Sequence, residues 1–287
     1  MIPGSFQRLG VQMMRVSILI ENSLVGHRSL YAEHGLSFLF EDGDQSILFD
    51  TGSSDKFLFN ALQMKKDLVS VQKVVLSHCH YDHTGGFLPF LEHHHPKELF
   101  TGKDFFSDHY EKHAFSHTYL GCAFSEETLK EHQINHHVVH STTKISDHCH
   151  VVSGFRHYND FEEVPSTFEK FDGTLFIGDD FSDECSIVLE MPTGLQLFVG
   201  CAHIGILNIV SHVQSLFSKP IQGIYGGIHL MNASREEIHT VLDALYAQKI
   251  ERLGLCHCSG PLVAECLSPY EGKMEFAKLG SGSTLFW

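Results

Sequence analysis

Four potential metal ligands stand within the six residues of the stretch HCHYDH, which runs from His78 to His83. The stretch follows the apolar run VQKVVL and precedes two glycines. Imidazole nitrogens suit zinc, iron, nickel and manganese-type divalent ions, and a nearby carboxylate leaves several of these metals open. In an extended loop, His78 and His80 would project to the same side and bind one ion, whereas Asp82 and His83 would face a second. The sequence therefore predicts a metal site.

Other histidines follow strand-like segments elsewhere in the chain. His203 comes after LQLFVG, His229 after IQGIYGG and His257 after RLGLC. Loops that leave the carboxyl ends of parallel strands meet at one edge of a sheet and often carry functional side chains. We therefore expect seven side chains to converge on one rim of the fold: His78, His80, Asp82, His83, His203, His229 and His257.

The first third of the chain has the composition of strands and turns. RVSILI from Arg15, GLSFLFE from Gly35 and QSILFD from Gln45 predict strands, and the Asp-Gly turn in EDGDQ joins the last two as a hairpin. SSDKFLFNALQMKK predicts a helix capped by Ser54 or Asp55, because its apolar residues recur at helical spacing. KVVL then predicts the strand that leads into the metal-binding stretch.

The second half repeats this pattern. ECSIVLEM and LQLFVG predict another hairpin, and ILNIVSHVQSLFSK predicts a helix that ends near Pro220. IQGIYGG and RLGLC predict strands on either side of the helix SREEIHTVLDALYAQK, in which Ser234 and Glu237 form a capping box. The final residues, GSGSTLFW, predict an edge strand.

The order of these elements predicts the fold class. Each half is a β-meander followed by β/α units, which predicts an α/β fold with two sheets face to face and helices outside, a four-layer αββα sandwich. We predict a single domain over residues 15–287 and a non-structural extension over residues 1–14. Between Phe87 and Tyr158 the pattern is weaker, and we expect short helices near Asp104 and Glu126 and loops that set specificity.

The composition limits the partners. The chain has 287 residues, 43% of them hydrophobic, which is enough for a core of ordinary size. Its 35 acidic and 20 basic residues give a formal charge of -15, which argues against nucleic acid and favours a small-molecule substrate. No stretch approaches the roughly 20 apolar residues of a membrane span. The eight scattered cysteines predict reduced thiols in a cytoplasm.

The spacing His-x-His-x-Asp-His followed by Gly-Gly resembles the motif of the metallo-β-lactamase superfamily, whose fold is the αββα sandwich. ILFDTG resembles the second strand and turn of that superfamily, where the residue equivalent to Asp50 orients the ligand loop. A closer resemblance, to the subfamily typified by the dihydropterin ribofuranosylaminobenzene-phosphate synthase of methanopterin biosynthesis, covers nearly the whole chain. It is carried, in this order, by IENSL, AEHGLSFLFE, ILFDTGSS, LSHCHYDHTGG, VGCAHIGILNIV, YGGIHL and HCSG.

The resemblance implies ligands for one or two divalent metal ions, zinc first, with iron or manganese as alternatives. The implied ligands are His78, His80 and His203 for the first ion, and Asp82, His83 and His257 for the second. Cys201 stands where better-known branches have an aspartate that bridges both ions, so occupancy by a single ion is also compatible. Either His203 is the third ligand, as the motif GCxHxG favours, or His157 serves and Cys201 is a thiolate ligand.

Three further residues are candidates for contact with the substrate. His229 in GGIHL would be a ligand, a general acid or an oxyanion stabiliser, or else a structural histidine bonded to a backbone carbonyl. Glu33 and His34 precede the second strand. The motif implies that they lie near the mouth of the site, as substrate contacts or as cap and turn residues.

Two groups of residues near these motifs are expected to be structural. Cys79, Cys256 and Cys258 alternate with ligands, so we expect their thiols to point away into the core. The acidic run from Asp179 to Glu184 is expected to be a solvated loop.

Three functions are compatible with these residues. In a hydrolase, a metal-bound hydroxide would attack a small ester or phosphoester substrate, with Asp82 orienting the hydroxide or accepting its proton and His229 assisting the leaving side. A synthase that condenses a pterin with a phosphorylated aromatic riboside would need Arg156 or Arg235 for the phosphate. A metal-binding sensor or effector would keep the fold without turnover, and the complete ligand set argues against it.

Overall fold

The structure is a computed structural model that describes residues 14–26 and 29–287. The predicted extension, residues 1–14, lies outside the described residues except for Met14. Met14 is 2% exposed, and its backbone exchanges two hydrogen bonds of 3.0 Å with Trp287 at the other end of the chain. The folded part therefore includes Met14, because its backbone continues the pairing of an edge strand.

The strands of the described chain are, in order, β1 (Arg15–Ile20), β2 (Ser37–Asp42), β3 (Gln45–Phe49), β4 (Val71–Val75), β5 (Glu98–Thr101), β6 (Asp108–Lys112), β7 (His117–Tyr119), β8 (Asn135–Val138), β9 (Thr142–Lys144), β10 (Cys149–Ser153), β11 (Phe168–Phe171), β12 (Phe176–Gly178), β13 (Cys185–Glu190), β14 (Leu195–Val199), β15 (Ile221–Gly226), β16 (Arg252–Leu255), β17 (Glu275–Phe276) and β18 (Thr284–Phe286). The helices are α1 (Lys56–Gln63), α2 (Tyr81–Thr84), α3 (Phe87–Leu91), α4 (Glu126–Glu131), α5 (Ile206–Leu216), α6 (Arg235–Ala247) and α7 (Pro261–Cys266). Short 3-10 turns cover His257–Ser259 and Ser268–Tyr270.

Two seven-stranded sheets form the centre of the fold. Their strand orders are β18-β1-β2-β3-β4-β5-β8 and β17-β16-β15-β14-β13-β10-β9. Both predicted hairpins are present, as the antiparallel pairs β2 with β3 and β13 with β14. The pairs that follow each hairpin, β3 with β4 and β14 with β15, are parallel. The final strand pairs with β1 at a sheet edge, as predicted.

The sandwich forms because alternate residues of each strand point to opposite faces of a sheet. Phe38 and Phe40 of β2 face Phe198 of β14 across the space between the sheets, with ring centroids 5.7 and 4.8 Å apart. Leu39, between them, belongs instead to the outer core beneath α1 and α3. Helices α5, α6 and α7 cover the outer face of the second sheet in the same way. The four-layer αββα sandwich is thus confirmed.

The predicted helices are present with shifted ends. Helix α1 begins after Asp55, whose side chain makes no cap hydrogen bond, while the hydroxyl of Ser54 accepts the N–H of Lys56 at 3.3 Å; α5 ends at Leu216. The capping box of α6 is found, with Ser234 and Glu237 each hydrogen-bonded to the backbone of the other. In the weakly patterned middle, α4 matches the helix expected near Glu126, whereas the residues around Asp104 form a turn.

A third sheet was not predicted from the sequence. It has four strands, in the order β12-β11-β6-β7, and lies outside the sandwich. Its strands are three to five residues long, too short to give a clear alternating pattern. None of the described helices has the length and apolar character needed to cross a membrane.

Candidate metal centre

The ligand loop begins where β4 ends and is held from the neighbouring strand end. Asp50, directly after β3, accepts the backbone N–H of Ser77 on Oδ1 at 2.7 Å. Thr51 donates its backbone N–H to the carbonyl of His83 at 2.7 Å, which anchors α2. The two glycines after α2 lie against the 51–54 turn, where an added Cβ atom would collide with backbone. Glycine is therefore needed for close approach of the two loops.

Asp50 and Ser77 set the ring orientation of two histidines. Oδ2 of Asp50 accepts the Ser77 hydroxyl and the Nδ1–H of His83, both at 2.7 Å. Because Ser77 gives its proton to Asp50, its oxygen accepts the Nδ1–H of His78 at 2.9 Å. Each ring then presents the lone pair of Nε2, which is the form that binds a metal ion.

His78, His80 and His203, the three residues implied for the first ion, lie together. One ring nitrogen from each falls within 4.8 Å of the others, and the three rings are buried. Nε2 of His78, Nε2 of His80 and both nitrogens of His203 have no hydrogen-bond partner among the described residues. Burial lowers the pKa of all three, to about 3 for His80, so the rings are neutral ligands at neutral pH.

Asp82, His83 and His257, implied for the second ion, form an adjacent group. The Nε2 atom of His257 lies 3.2 Å from Nε2 of His83 and 3.2 Å from Oδ2 of Asp82. Nδ1 of His257 donates to Asn22 Oδ1 at 3.0 Å, which leaves the lone pair of Nε2 facing that of His83. Ligands at about 2.1 Å from one tetrahedral ion lie roughly 3.4 Å apart, so these separations fit an ion.

The structure distinguishes between His203 and His157 as members of the first group. His157 is solvent-exposed and belongs to none of the potential ligand groups in the described chain. His203 is 5% exposed, and its ring stacks on Phe181 with centroids 4.1 Å apart. The geometry therefore favours His203, and it places the thiol of Cys201 between the two groups, 3.1 Å from Nε2 of His83.

Four buried carboxylates hold the backbone of the ligand loops. Besides Asp50, Asp183 accepts the N–H of Cys79 at 2.8 Å, and Glu184 accepts the N–H groups of His203 and Ile204 at 2.8 and 3.0 Å. Glu21 accepts the N–H of His257 at 2.7 Å. Each loop is thus fixed by a hydrogen bond from a backbone N–H to a buried carboxyl group next to a candidate ligand.

The expectation of a solvated loop for the acidic run is therefore wrong. Asp179, Asp183 and Glu184 are 6%, 1% and 2% exposed, and of the acidic residues in this run only Asp180 faces solvent. Burial raises the pKa of Glu184 to about 8 and that of Asp183 to about 6. His109, whose Nδ1 lies 2.5 Å from Asp179, offsets part of this negative charge.

The third sheet and the ligand loops border an open cleft of about 220 Å³. Its wall combines the candidate ligands with Tyr81, Glu111, Leu120, Phe168 and Met231. No lysine or arginine of the described chain lines it. The cleft therefore combines aromatic side chains with the carboxyl group of Glu111 beside the metal-binding groups.

His229 lines this cleft next to His203, with ring centroids 4.3 Å apart. Its Nδ1 atom has no hydrogen-bond partner in the described part of the chain. The alternative of a structural histidine bonded to a backbone carbonyl through that atom is therefore not found.

His34 and Glu33 lie on different sides of their loop. His34 is at the mouth of the cleft, with Nε2 at 3.0 Å from Asp82 Oδ2. Glu33 instead accepts the N–H groups of Ser53 and Ser54 at 3.2 and 3.1 Å and pairs with Lys56. Glu33 does not line the cleft. Of its two expected roles, the structure therefore favours that of a turn residue over contact with the substrate.

The three cysteines that alternate with ligands differ in direction. Cys79 and Cys256 belong to hydrophobic cores, as expected. The prediction for Cys258 is wrong, because its thiol lines the cleft together with Cys201. The 3-10 turn over His257–Ser259 is responsible, since it rotates successive side chains by less than the half-turn of an extended strand.

Buried charge provides a further test of whether these residues fit metal ions. Glu21, Asp50 and Asp82 are 3%, 0% and 6% exposed, and within the described residues none pairs with lysine or arginine. Uncompensated buried carboxylates are costly, and cations between the two histidine groups would offset them. The donor set of imidazoles, a carboxylate and thiols suits transition metals rather than magnesium or calcium.

Comparison with known proteins identifies the family. The family model described as the metallo-beta-lactamase superfamily matches residues 30–206, which is more than half of the chain. The chain belongs to the metallo-beta-lactamase superfamily. Members of this superfamily typically bind divalent metal ions, in agreement with the two groups of potential ligands.

Three known proteins are similar to this chain over most of its length. A solved metal-dependent hydrolase of the beta-lactamase superfamily is 29% identical, covers 95% of this chain and 98% of its own, and superposes with a TM-score of 0.81. The 7,8-dihydropterin-6-methyl-4-(beta-D-ribofuranosyl)-aminobenzene-5'-phosphate synthase of Methanocaldococcus jannaschii is 26% identical over 96% of this chain and 97% of its own. An uncharacterized protein of the same organism is 28% identical over 85% and 90%.

Several residues that support the candidate ligands were not identified from the sequence. Ser77 and Asn22 hydrogen-bond to the rings of His78 and His257, and Glu21 accepts the backbone N–H of His257. Ser77 directly precedes His78, and Glu21 and Asn22 follow β1. Asp183 and Glu184 carried a signal that was misread. An acidic pair directly before the largely apolar strand β13, CSIVLE, is more consistent with burial than with a solvated loop.

Proposed function

We propose that this protein is a metal-dependent hydrolase that acts on a small ester or phosphoester-type molecule. One observation carries the proposal: two adjacent groups of donors, His78 with His80 and His203, and Asp82 with His83 and His257, lie at an open cleft. A non-catalytic sensor would not require this access. The named relative that is a metal-dependent hydrolase, similar over 95% of this chain, also supports the proposal.

The residues would divide the chemistry between them. A divalent ion held by these groups would lower the pKa of water to about 7 and polarise the substrate oxygen under attack. Asp82 would orient the attacking hydroxide; burial alone would raise its pKa, but the neighbouring His83, His257 and His34 hold it well below its usual range, so the carboxylate stays ionised. His34, whose pKa is raised by its hydrogen bond to Asp82, would exchange protons with solvent through its half-exposed ring.

His229 would act on the leaving side of the substrate. It lines the cleft, and its Nδ1 atom is unpaired among the described side chains. A protonated ring would donate a proton to the departing oxygen, as general acids commonly do.

A synthase that joins a pterin to a phosphorylated aromatic riboside is the second candidate, because a synthase of this name is similar over 96% of the chain. The cleft gives it less support. Arg235 pairs with Glu265 at the start of α6, and Arg156 is exposed; neither lines the cleft. The two arginines that were candidates for phosphate binding therefore lie away from the cleft.

We further propose that the substrate is a small molecule rather than nucleic acid, that the native metal is zinc, and that the protein works in a cytoplasm. The excess of 35 acidic over 20 basic residues and the 220 Å³ cleft support the first point. The distances between donor atoms around His257, which fit tetrahedral coordination, support zinc, with iron or manganese as alternatives. Eight free cysteines support the third.

Metal analysis and a hydrolytic screen test the proposal. Freshly purified protein should contain one or two transition metal ions and should cleave at least one phosphodiester, lactone or thioester in a chelator-sensitive manner. His80→Ala should lower that activity more than about 100-fold, because removal of a ligand should exceed the effect of losing a supporting group. His95→Ala, which alters an exposed histidine, is the matched control. Absence of metal together with chelator-resistant activity would refute the proposal, and activity only with a pterin would favour the synthase.

A further inference from the structure

Two thiols face the metal-binding groups from the floor of the cleft. Cys201 belongs to three groups of closely spaced donor atoms: with His78 and His83, with His203 and His229, and with His257 and Cys258. Its sulfur is therefore within 4.8 Å of donor atoms from both histidine groups. Cys258 is 3% exposed, and its sulfur lies in the same group as the sulfur of Cys201 and a nitrogen of His257.

The backbone around Cys258 is adapted to hold its sulfur in this position. The N–H of His229 donates to Cys258 Sγ at 3.3 Å, which orients the sulfur. Gly227 leaves room for it, because a Cβ atom there would lie only 2.5 Å from Sγ. The amide and the glycine together fix this sulfur beside the thiol of Cys201 and the ring of His257.

We propose that Cys201 and Cys258 are metal ligands, with the sulfur of Cys201 common to both ion positions and Cys258 a ligand of the second. The proposal rests on the metal centre proposed above and specifies its chemistry. Each cysteine that binds a metal ion releases its thiol proton to solvent. The second position then combines sulfur, imidazole and carboxylate donors.

This ligand set determines which ions the centre retains. Thiolate ligands favour zinc, cobalt and cadmium, whereas magnesium and manganese prefer sites built from oxygen. We therefore expect the protein to keep zinc or cobalt during dialysis against excess magnesium. Replacement of either sulfur by oxygen should weaken that retention.

Cobalt substitution of the full-length protein is the direct test. The anaerobically purified wild type, loaded with Co²⁺, should show thiolate-to-cobalt charge-transfer absorption in the near ultraviolet. Cys201→Ser and Cys258→Ser should each reduce its intensity per bound cobalt. Cys266→Ser, which changes a buried thiol in the α7 core, should leave it unchanged.

A second measurement requires no variant and so does not depend on the folding of the substituted proteins. X-ray absorption of the zinc-loaded wild type should show sulfur at about 2.3 Å in addition to nitrogen and oxygen at about 2.0 to 2.1 Å. Zinc or cobalt bound with no sulfur neighbour would overturn the inference. Full charge-transfer intensity in Cys258→Ser would overturn the part that concerns Cys258. Failure to bind either ion would instead overturn the metal centre itself.

Discussion

Asp50 shows how one side chain can prepare several ligands. Its carboxylate accepts three hydrogen bonds, from the Ser77 backbone, the Ser77 hydroxyl and the ring of His83. Through Ser77 it also determines which nitrogen of His78 is free. Removal of its charge should therefore affect both histidine groups although Asp50 itself need not touch an ion.

Asp50→Asn should lower metal affinity by about 10- to 100-fold, because the amide cannot accept all three hydrogen bonds and both rings lose their fixed tautomer. Competition with a chromogenic chelator measures the affinity. Asp44→Asn, in an exposed turn, is the control and should bind metal as the wild type does. An Asp50→Asn protein with wild-type affinity would show that Asp50 does not orient the ligands.

Helix α5 illustrates how an element is anchored beside the centre. Glu162, on the loop that precedes the third sheet's β11, accepts the N–H groups of Leu207 and Asn208, both at 2.9 Å. These are free N–H groups at the start of the helix, where a negative charge is favourable. The same hydrogen bonds attach the 155–165 loop to α5, and this loop borders the cleft at Pro165.

Glu162→Gln should reduce the free energy of unfolding by about 1 kcal/mol, because the amide has one acceptor oxygen for the two N–H groups that the carboxylate receives on separate oxygens. Chemical denaturation followed by circular dichroism measures the change. Glu163→Gln is a close control, because the neighbouring side chain is exposed and makes no such bonds to the helix. Equal losses in the two variants would refute the capping role.

The hydrogen bonds between Asp42, at the end of β2, and the loop before β10 should contribute to stability in a pH-dependent way. Burial would raise the pKa of Asp42, but hydrogen bonds from Ser146 and His148 outweigh this and lower it below its ordinary value. A lowered carboxyl pKa in the folded state stabilises the fold at pH values above the unfolded pKa, and this contribution is lost as the pH falls through the folded value.

The wild type should therefore be more stable than Asp42→Asn at pH 6, and the difference should shrink steadily below about pH 4. Urea unfolding of both proteins across this range gives the difference, in which the contributions of titrating groups that do not contact Asp42 cancel. A difference that stays constant down to pH 3 would contradict the assigned role of Asp42.

At the scale of the whole molecule, the candidate metal ligands come from both halves of the sandwich. His78, His80, Asp82 and His83 follow a strand of the first sheet, whereas His203 and His257 follow strands of the second. An ion bound by both sets would link the sheets directly. It would also offset the buried carboxylates that hold the loops.

Removal of metal should therefore destabilise the entire domain. Saturation at 100 times the dissociation constant stabilises a fold by about 2.7 kcal/mol, so chelation should lower the Tm by several degrees. Differential scanning calorimetry with chelator, followed by zinc, should show the loss and its recovery. Magnesium should not restore the Tm, and an unchanged Tm after verified metal removal would contradict this role of the centre.

Much of the fold could be predicted because its signals are local. Strand alternation, helical spacing, the capping box at Ser234 and the turn at EDGDQ each depend on residues close in sequence. The ligand types were also readable, since His78, His203, His229 and His257 all follow strand ends that meet at one edge. The third sheet was missed because its strands are short and carry little alternation, and because its two hairpins, β6 with β7 and β11 with β12, pair with each other over a long separation.

The sequence by itself thus determined the αββα sandwich, the family and the candidate ligands. Only the tertiary structure decided the roles of residues whose neighbours come from distant parts of the chain. Glu184 is buried because the His203 loop donates to it, Glu33 faces a turn rather than the cleft, and Cys258 reaches the centre because a 3-10 turn rotates it inward. Burial and side-chain direction depend on packing between elements, which no local pattern encodes.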